Sequence, residues 1–294
     1  SLLNATHLLI IGLGIVIAFR SKIFNVGAEG QQIVAAIGAT AVGLTMTGAD
    51  GPAIIIAMTI VAILFGGLYG AIAGVLKARW GINEVIVTIM MNWVAVEAVS
   101  FVIRGPLKDP TVNWPQSPLI PRNSWLPILL GGTNLNLSLI FAFLTTIVVY
   151  VFLFRTPLGY DIRAIGANIN AARASGINVN RVMIVSMLIS GALAGFSGGL
   201  YIQGVIHQLL DVRSSGSTPP WAWGYTGIVV ALMGRLHPIG VVFASFFFGA
   251  LLSGMSSVAR ELAVPAPLVD LSQGIVIMIV LIGEALVRYR LKWS

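Results

Sequence analysis

Read along its length, the chain is a series of apolar runs separated by short polar interruptions. Nine runs stand out, at about 2–19, 30–47, 53–75, 85–103, 136–154, 182–203, 221–234, 239–256 and 271–288. Most approach 20 residues, the length at which an α-helix crosses the hydrocarbon of a bilayer. The pattern predicts an all-α polytopic membrane bundle in a single transmembrane domain, 1–294. The 221–234 run is short for a crossing and predicts a tilted or broken helix lined by protein. The opening SLLNATHLLIIGLG lacks the basic start of a signal peptide and enters a span almost at once. A further helix upstream is therefore expected, which would make ten spans and bring both ends to one side.

Two runs carry glycine every four positions: Gly66, Gly70 and Gly74, then Gly191, Gly195 and Gly199. Such rows let helix backbones approach closely in lipid, where packing drives association. A faint internal repeat relates QQIVAAIG (31–38) to TGIVVALMG (226–234), each followed by a proline, Pro52 and Pro238. With five spans per half the two halves would be inverted, a plan common in transport proteins.

Composition agrees with the pattern. Of 294 residues, 57% are hydrophobic and 9% charged, against roughly 25% charged in soluble domains. The net charge of +7 does not point to nucleic acid, because the basic residues sit in short loops between spans. They report orientation instead. With the C-terminal RYRLKWS in the cytoplasm, twelve lysines and arginines fall inside and five outside. No cysteine is present, which removes disulfides, thiolate metal sites and cysteine nucleophiles. His7, His207 and His237 are isolated, without metal spacing, and no phosphate loop of the G-x-x-x-x-G-K-[ST] type occurs. ATP-driven work would need an ATPase in another subunit.

The longest polar interruption of consistent sign is 155–181, RTPLGYDIRAIGANINAARASGINVNR, with arginines at 155, 163, 173 and 181 and one acid, Asp161. Asn168 or Asn170 is placed to cap a short helix over Ala171, Ala172, Arg173 and Ala174. Gly176 is placed to end it in a left-handed conformation. A short helix of small side chains at the membrane surface suits a groove on a cytoplasmic partner. A basic loop that only orients its neighbours is the plainer alternative. On the other side, the loop 104–135 carries Pro106, Pro110, Pro115, Pro118, Pro121 and Pro127, which prevent regular helix. Trp114 and Trp125 suit the headgroup level. With 204–220, which holds His207, Asp211, Arg213 and Pro219-Pro220, it forms either a docking face or a pair of connectors.

Two stretches are candidates for a solute pathway. FNVGAEGQQ (24–32) sets Asn25, Glu29, Gln31 and Gln32 beside Gly27 and Gly30. Each glycine weakens helix by roughly 1 kcal/mol, so a broken or re-entrant helix is expected, turning polar groups toward a pathway. The alternative is a solvated membrane edge with Glu29 beside Lys22. Further on, Glu84, Thr88 and Asn92 lie at i, i+4 and i+8 on one helix face, with Asn83 adjacent and Glu97 beyond. Polar groups inside a bilayer usually face a cavity or another polar group. The stripe reads either as a lining for an uncharged, hydrogen-bonding solute or as interhelical bonding at about 0.6 kcal/mol per contact. Glu284 and Arg288 are spaced as a helix-end ion pair.

Five stretches, in order, resemble permease subunits of bacterial ABC importers of the branched-chain amino acid and simple-sugar group. They are FRSKIFNVGAEGQ (19–31), LKARWGINEVIVTIMMNW (76–93), RTPLGYDIRAIGANINAARASGI (155–177), SGALAGFSGGLY (190–201) and GYTGIVVALMGRLHPIGVVFASFFFGALLSG (224–254). FNVGAEGQ followed by GINEVIVTIMMNW is most similar to the nucleoside branch, and within it to one of two paired permease types. The resemblance implies a ten-helix membrane domain in the bacterial cytoplasmic membrane, with its C-terminus inside. A second, related permease would complete the pathway. ATP and magnesium would be bound by a cytoplasmic ATPase and no cofactor by this chain. That ATPase would dock on the 155–181 loop, with Arg163, Asn168, Ala171, Ala172, Arg173 and Gly176 as coupling residues. A substrate-binding lipoprotein would meet the outer loops. Sugars and branched-chain amino acids remain alternative solutes. An ion-gradient transporter using Glu29, Glu84 and Glu97 is the reading from another class.

Overall fold

The computed structural model describes residues 2–129, 132–211 and 223–261, together with 271, 274–276, 278, 279, 282 and 283. Most of the run expected at 271–288, its Glu284–Arg288 pair, the C-terminal RYRLKWS, Arg213 and Pro219-Pro220 lie outside the described residues.

The described elements are helical: α1 (Leu2–Arg20), α2 (Ala28–Thr45), α3 (Gly51–Trp80), α4 (Glu84–Arg104), α5 (Ser138–Arg155), α6 (Pro157–Ala167), α7 (Ile169–Ala174), α8 (Val179–Tyr201), α9 (Trp223–Met233) and α10 (Pro238–Glu261). Among the described residues, six stretches are long and apolar enough to cross a membrane. They are Leu2–Arg20, Gly51–Trp80, Glu84–Arg104, Ser138–Arg155, Val179–Ile206 and Pro238–Val258. α2 opens on the polar AEGQQ, and α9, with 11 residues, is the short helix expected near 221–234. The chain is a multi-pass membrane protein.

α1 explains the arrangement of the rest. It is apolar all round, so no face of it prefers solvent, and such a helix belongs in the middle. Fifteen of its nineteen residues are buried, packed by α5, α8, α9 and α10. The two glycine rows meet as their spacing predicts. A methyl group placed on Gly66 would fall 2.6 Å from the Cα of Gly195, and one on Gly70 would fall 2.7 Å from the carbonyl of Met187. α3 and α8 therefore cross backbone against backbone.

α8 ends in a π-helical turn, Ile202–Ile206, closed by His207 in a left-handed conformation with φ +57°. From this turn the chain runs antiparallel to part of the proline-rich loop. Ser117 N–H donates to Leu209 O (3.0 Å), Ile120 N–H to His207 O (2.9 Å) and Leu126 N–H to Gln203 O (2.9 Å). The indole of Trp125 stacks on the His207 imidazole at 3.7 Å. The two loops expected on one side are thus joined into one cap.

Candidate functional site

The break between α1 and α2 organises the polar interior. α1 stops at Arg20, the chain turns through Lys22 with φ +59°, and α2 begins at Ala28. The link is non-helical and mostly buried, with Ile23 and Asn25 at 0% exposure. Non-helical backbone at membrane depth needs internal partners, and the side chains of FNVGAEGQ supply them. The Asn25 amide donates to Gln31 Oε1 (2.9 Å) and Ser190 Oγ (2.8 Å). Asn25 Oδ1 accepts from Gly27 N–H and Gln31 Nε2, both at 3.0 Å.

The stripe on α4 closes the other side of this node. N-cap Gly27 provides no side-chain acceptor for the first turn of α2. Asn92 provides one from another helix: its Oδ1 accepts from Gly30 N–H at 2.8 Å. Its amide donates to Val26 O (3.0 Å) and lies 3.3 Å from the Tyr225 hydroxyl. The absence of a side chain on Gly30 permits this, since a methyl there would lie 3.0 Å from the Asn92 Cα. Glu84 pairs with Lys77 Nζ at 2.8 Å and accepts from Phe24 N–H at 3.4 Å. The Thr88 hydroxyl returns to Glu84 O at 2.7 Å. Asn83 caps α4 through Val85 N–H.

Asn25, Glu29, Gln31, Glu84, Thr88 and Asn92 are therefore brought together, buried where α2, α4 and the link meet. Glu29 lies on the same turn of α2, and its Oε2 is buried without a hydrogen-bond partner among the described residues. Ser190, Lys77 and Tyr225 belong to the node but carry no spacing signal in the sequence. They come from other helices, and only the fold places them here. The opposite face of α4 is the exposed one. Ile86, Met90, Trp93 and Phe101 are each 59% exposed or more, and Glu97 and Arg104 share that face. At its far end a cavity of about 460 Å³ is lined by Glu97, Ser100, Phe101, Arg104 and Gly105. Buried Asp211 anchors it, accepting from Arg104 Nη2 (2.7 Å) and Ser100 Oγ (3.1 Å).

The 155–181 loop folds as a helical hairpin. The helix α6 went unforeseen, although Thr156 and Pro157 mark its start. The Thr156 hydroxyl caps Gly159 N–H at 3.1 Å, and proline stands in the first turn, where its missing N–H costs nothing. α7 forms over the predicted residues. Asn168 Oδ1 accepts from Asn170 N–H (2.9 Å) and Ala171 N–H (3.2 Å), and Gly176 takes φ +85°. Ala171, Arg173 and Gly176 are exposed, whereas Ala172 packs into the core at 4% exposure. Arg163 lies apart from them, its guanidinium 5.3 Å from the centre of the Phe154 ring.

Long apolar helices, a buried polar break and a capped helical hairpin at one end of the bundle define a multi-pass membrane subunit with a polar interior. Among the described residues no group of acids and histidines is arranged to hold a metal. Comparison with known proteins makes the class specific. Residues 1–281 match the family described as branched-chain amino acid transport system / permease component, and the chain belongs to this family. It is a permease subunit of an ABC importer. It is 35% identical to the guanosine ABC transporter permease protein NupP of Bacillus subtilis, over 94% of this chain and 78% of that one. It is 31% identical to the glucose ABC transporter permease protein TsgB13 of Haloferax volcanii, over 98% and 77%. It is 30% identical to the nucleoside ABC transporter permease protein NupB of Lactococcus lactis subsp. cremoris, over 86% and 71%. No solved structure matches.

Proposed function

We propose that this chain is one of two permease subunits of an ATP-driven nucleoside importer, and that solute passes along the exposed face of α4. The similarity to NupP, 35% identity over 94% of the chain, carries the substrate class. In this reading the bundle is completed to ten helices in two inverted halves, with the C-terminus cytoplasmic. A second permease of the same family faces α4, as the paired guanosine and nucleoside permeases of the relatives suggest. Trp93, Glu97 and Phe101 offer ring and carboxylate groups to a base and sugar hydroxyls. Asn25, Glu29, Gln31, Glu84, Thr88 and Asn92 serve the pathway from behind this face, by fixing α4 to the break before α2.

A cytoplasmic ATPase, holding ATP and magnesium, would grip the hairpin of α6 and α7. Asn168 and Gly176 shape the grip, Ala171 and Arg173 touch the partner, and Ala172 transmits the force into the core. Arg163 ties the hairpin back to α5. A substrate-binding lipoprotein would dock on the joined outer loops. A sugar importer is the second reading, favoured by TsgB13 at 31% identity over 98% of the chain. Uptake of labelled guanosine and glucose should be compared in cells expressing the whole transport system. Guanosine uptake, unaffected by excess glucose, is expected. Glucose uptake without nucleoside uptake would overturn the nucleoside assignment.

A further inference from the structure

Where α5 ends and α6 begins, three cationic or proton-donating side chains from separate elements surround one aromatic ring. The guanidinium of Arg20, at the end of α1, lies 5.3 Å from the centre of Phe154, and so does that of Arg163 from α6. The two guanidinium carbons therefore stand no farther apart than twice that distance. His237, in the turn between α9 and α10, lies 5.4 Å from the same ring. Its Nδ1 accepts from Ile239 N–H at 3.3 Å, which leaves Nε2 as the protonated, donating nitrogen. The fold constructs this convergence. Arg235 and Leu236 both adopt left-handed backbone, φ +52° and +51°, and the turn presents Leu236 O to Arg20 Nε at 2.6 Å.

What is missing is a counter-charge. Among the described residues, neither Arg20 nor Arg163 has a carboxylate within ion-pair distance, in contrast to Lys77 and Arg104, which do. Arg163 Nε is buried with no hydrogen-bond partner. Burial of the His237 ring and the nearby charge of Arg20 both push its pKa below the ordinary histidine value, so at neutral pH it adds a donor without adding charge. Like charges gathered at a low-dielectric boundary are costly unless an anion joins them. Guanidinium forks match phosphate oxygens in geometry.

We infer that Arg20, Arg163 and His237 form a binding site for a phosphate oxyanion, filled by the headgroup of an anionic phospholipid. The surroundings favour a lipid over a dissolved anion. Tyr150 stands exposed with its ring 6.0 Å from that of His237, and α5 above it exposes Ile147, Val148 and Val151. Aromatic rings at the headgroup level over an apolar helix face describe a membrane boundary. The site ties α1, α5, α6 and the turn before α10 to one headgroup, at the base of the α6–α7 hairpin.

The test is retention of lipid by the purified full chain in native mass spectrometry. Phosphatidylglycerol is compared with phosphatidylcholine, with and without millimolar inorganic phosphate. Wild type should hold phosphatidylglycerol in preference to phosphatidylcholine, and phosphate should not displace it. Arg163→Gln should weaken retention roughly tenfold, the loss of one charge-assisted guanidinium–phosphate hydrogen bond. Arg163→Lys should keep most of it. Arg155→Gln, which removes an exposed charge at the same boundary, should leave it unchanged. If Arg163→Gln does not fold, the preference of wild type for phosphatidylglycerol and its persistence in Arg155→Gln still test the site. Equal loss in Arg155→Gln, or equal retention of the two lipids by wild type, would overturn the site. Full displacement by inorganic phosphate would overturn the lipid assignment and give the site to a soluble anion.

Discussion

The polar node makes a sharp prediction at Asn92. Replacing it with alanine removes the acceptor for Gly30 N–H (2.8 Å), the donor to Val26 O (3.0 Å) and the contact with the Tyr225 hydroxyl (3.3 Å). The Gly30 N–H is one of the unpaired donors of a helix first turn, and no side chain of the N-cap replaces the lost partner. A buried donor left unpaired costs about 1–3 kcal/mol. Side-chain hydrogen bonds between membrane helices average about 0.6 kcal/mol. Together these put Asn92→Ala at about 2 kcal/mol of lost stability. Tyr225→Phe removes only the longest contact and should cost about 0.5 kcal/mol or less. Thermal unfolding of the purified protein, followed by tryptophan fluorescence, measures both. Asn92→Ala should melt several degrees lower, and Tyr225→Phe should melt close to wild type. If Asn92→Ala melts with wild type while its transport KM rises, the residue meets solute directly, and its assignment as the cap of α2 is wrong.

Other consequences are testable in the same preparations. Gly66→Leu cannot be accommodated against Gly195 of α8 and should abolish stable folding, read as loss of monodisperse protein in detergent. Asp211→Asn removes the charge facing Arg104 at the C-terminal end of α4. Breaking a buried pair costs about 3–5 kcal/mol when a charge is stranded, but Arg104 is exposed, so a loss of about 1 kcal/mol and faster hydrogen exchange in 116–120 are expected. Gly176→Ala meets no neighbouring atom and suffers only the left-handed backbone cost of about 1 kcal/mol. It should leave assembly intact and lower transport per ATP hydrolysed, and unchanged coupling would count against the hairpin's role. Burial of the imidazole holds the His207 pKa below the ordinary value. Between the folded and unfolded pKa values the unfolded chain binds more protons, so stability falls as pH drops below about 6.5. His207→Gln should flatten that part of the melting-temperature profile.

Periodicity carried much of this fold and less of the site. Apolar runs located the membrane helices because length and hydropathy are local properties. The glycine rows named both surfaces of the α3–α8 crossing because every fourth residue returns to the same face. Asn168 and Gly176 bounded α7 because capping is decided within a few residues. α6 was missed because an eleven-residue helix with arginine and aspartate leaves no long apolar signature, although Thr156-Pro157 marked its start. The 84–88–92 stripe shows where such reasoning stops. Its spacing established that three polar groups share a face, but a helix has no way of announcing what that face meets. Both a water-filled path and a neighbouring helix with unpaired amides satisfy polar groups in a bilayer. In the structure Asn92 meets the first turn of α2, whose glycine N-cap offers its donors no side-chain partner. The exposed face of α4 carries Trp93, Glu97 and Phe101, among which only Glu97 stands out in the sequence. It becomes a candidate solute surface only once the other face is seen to be occupied. If the pathway lies between two copies of this fold, as proposed above, the buried polar residues serve the scaffold. The residues that meet solute then sit among those a single chain leaves bare.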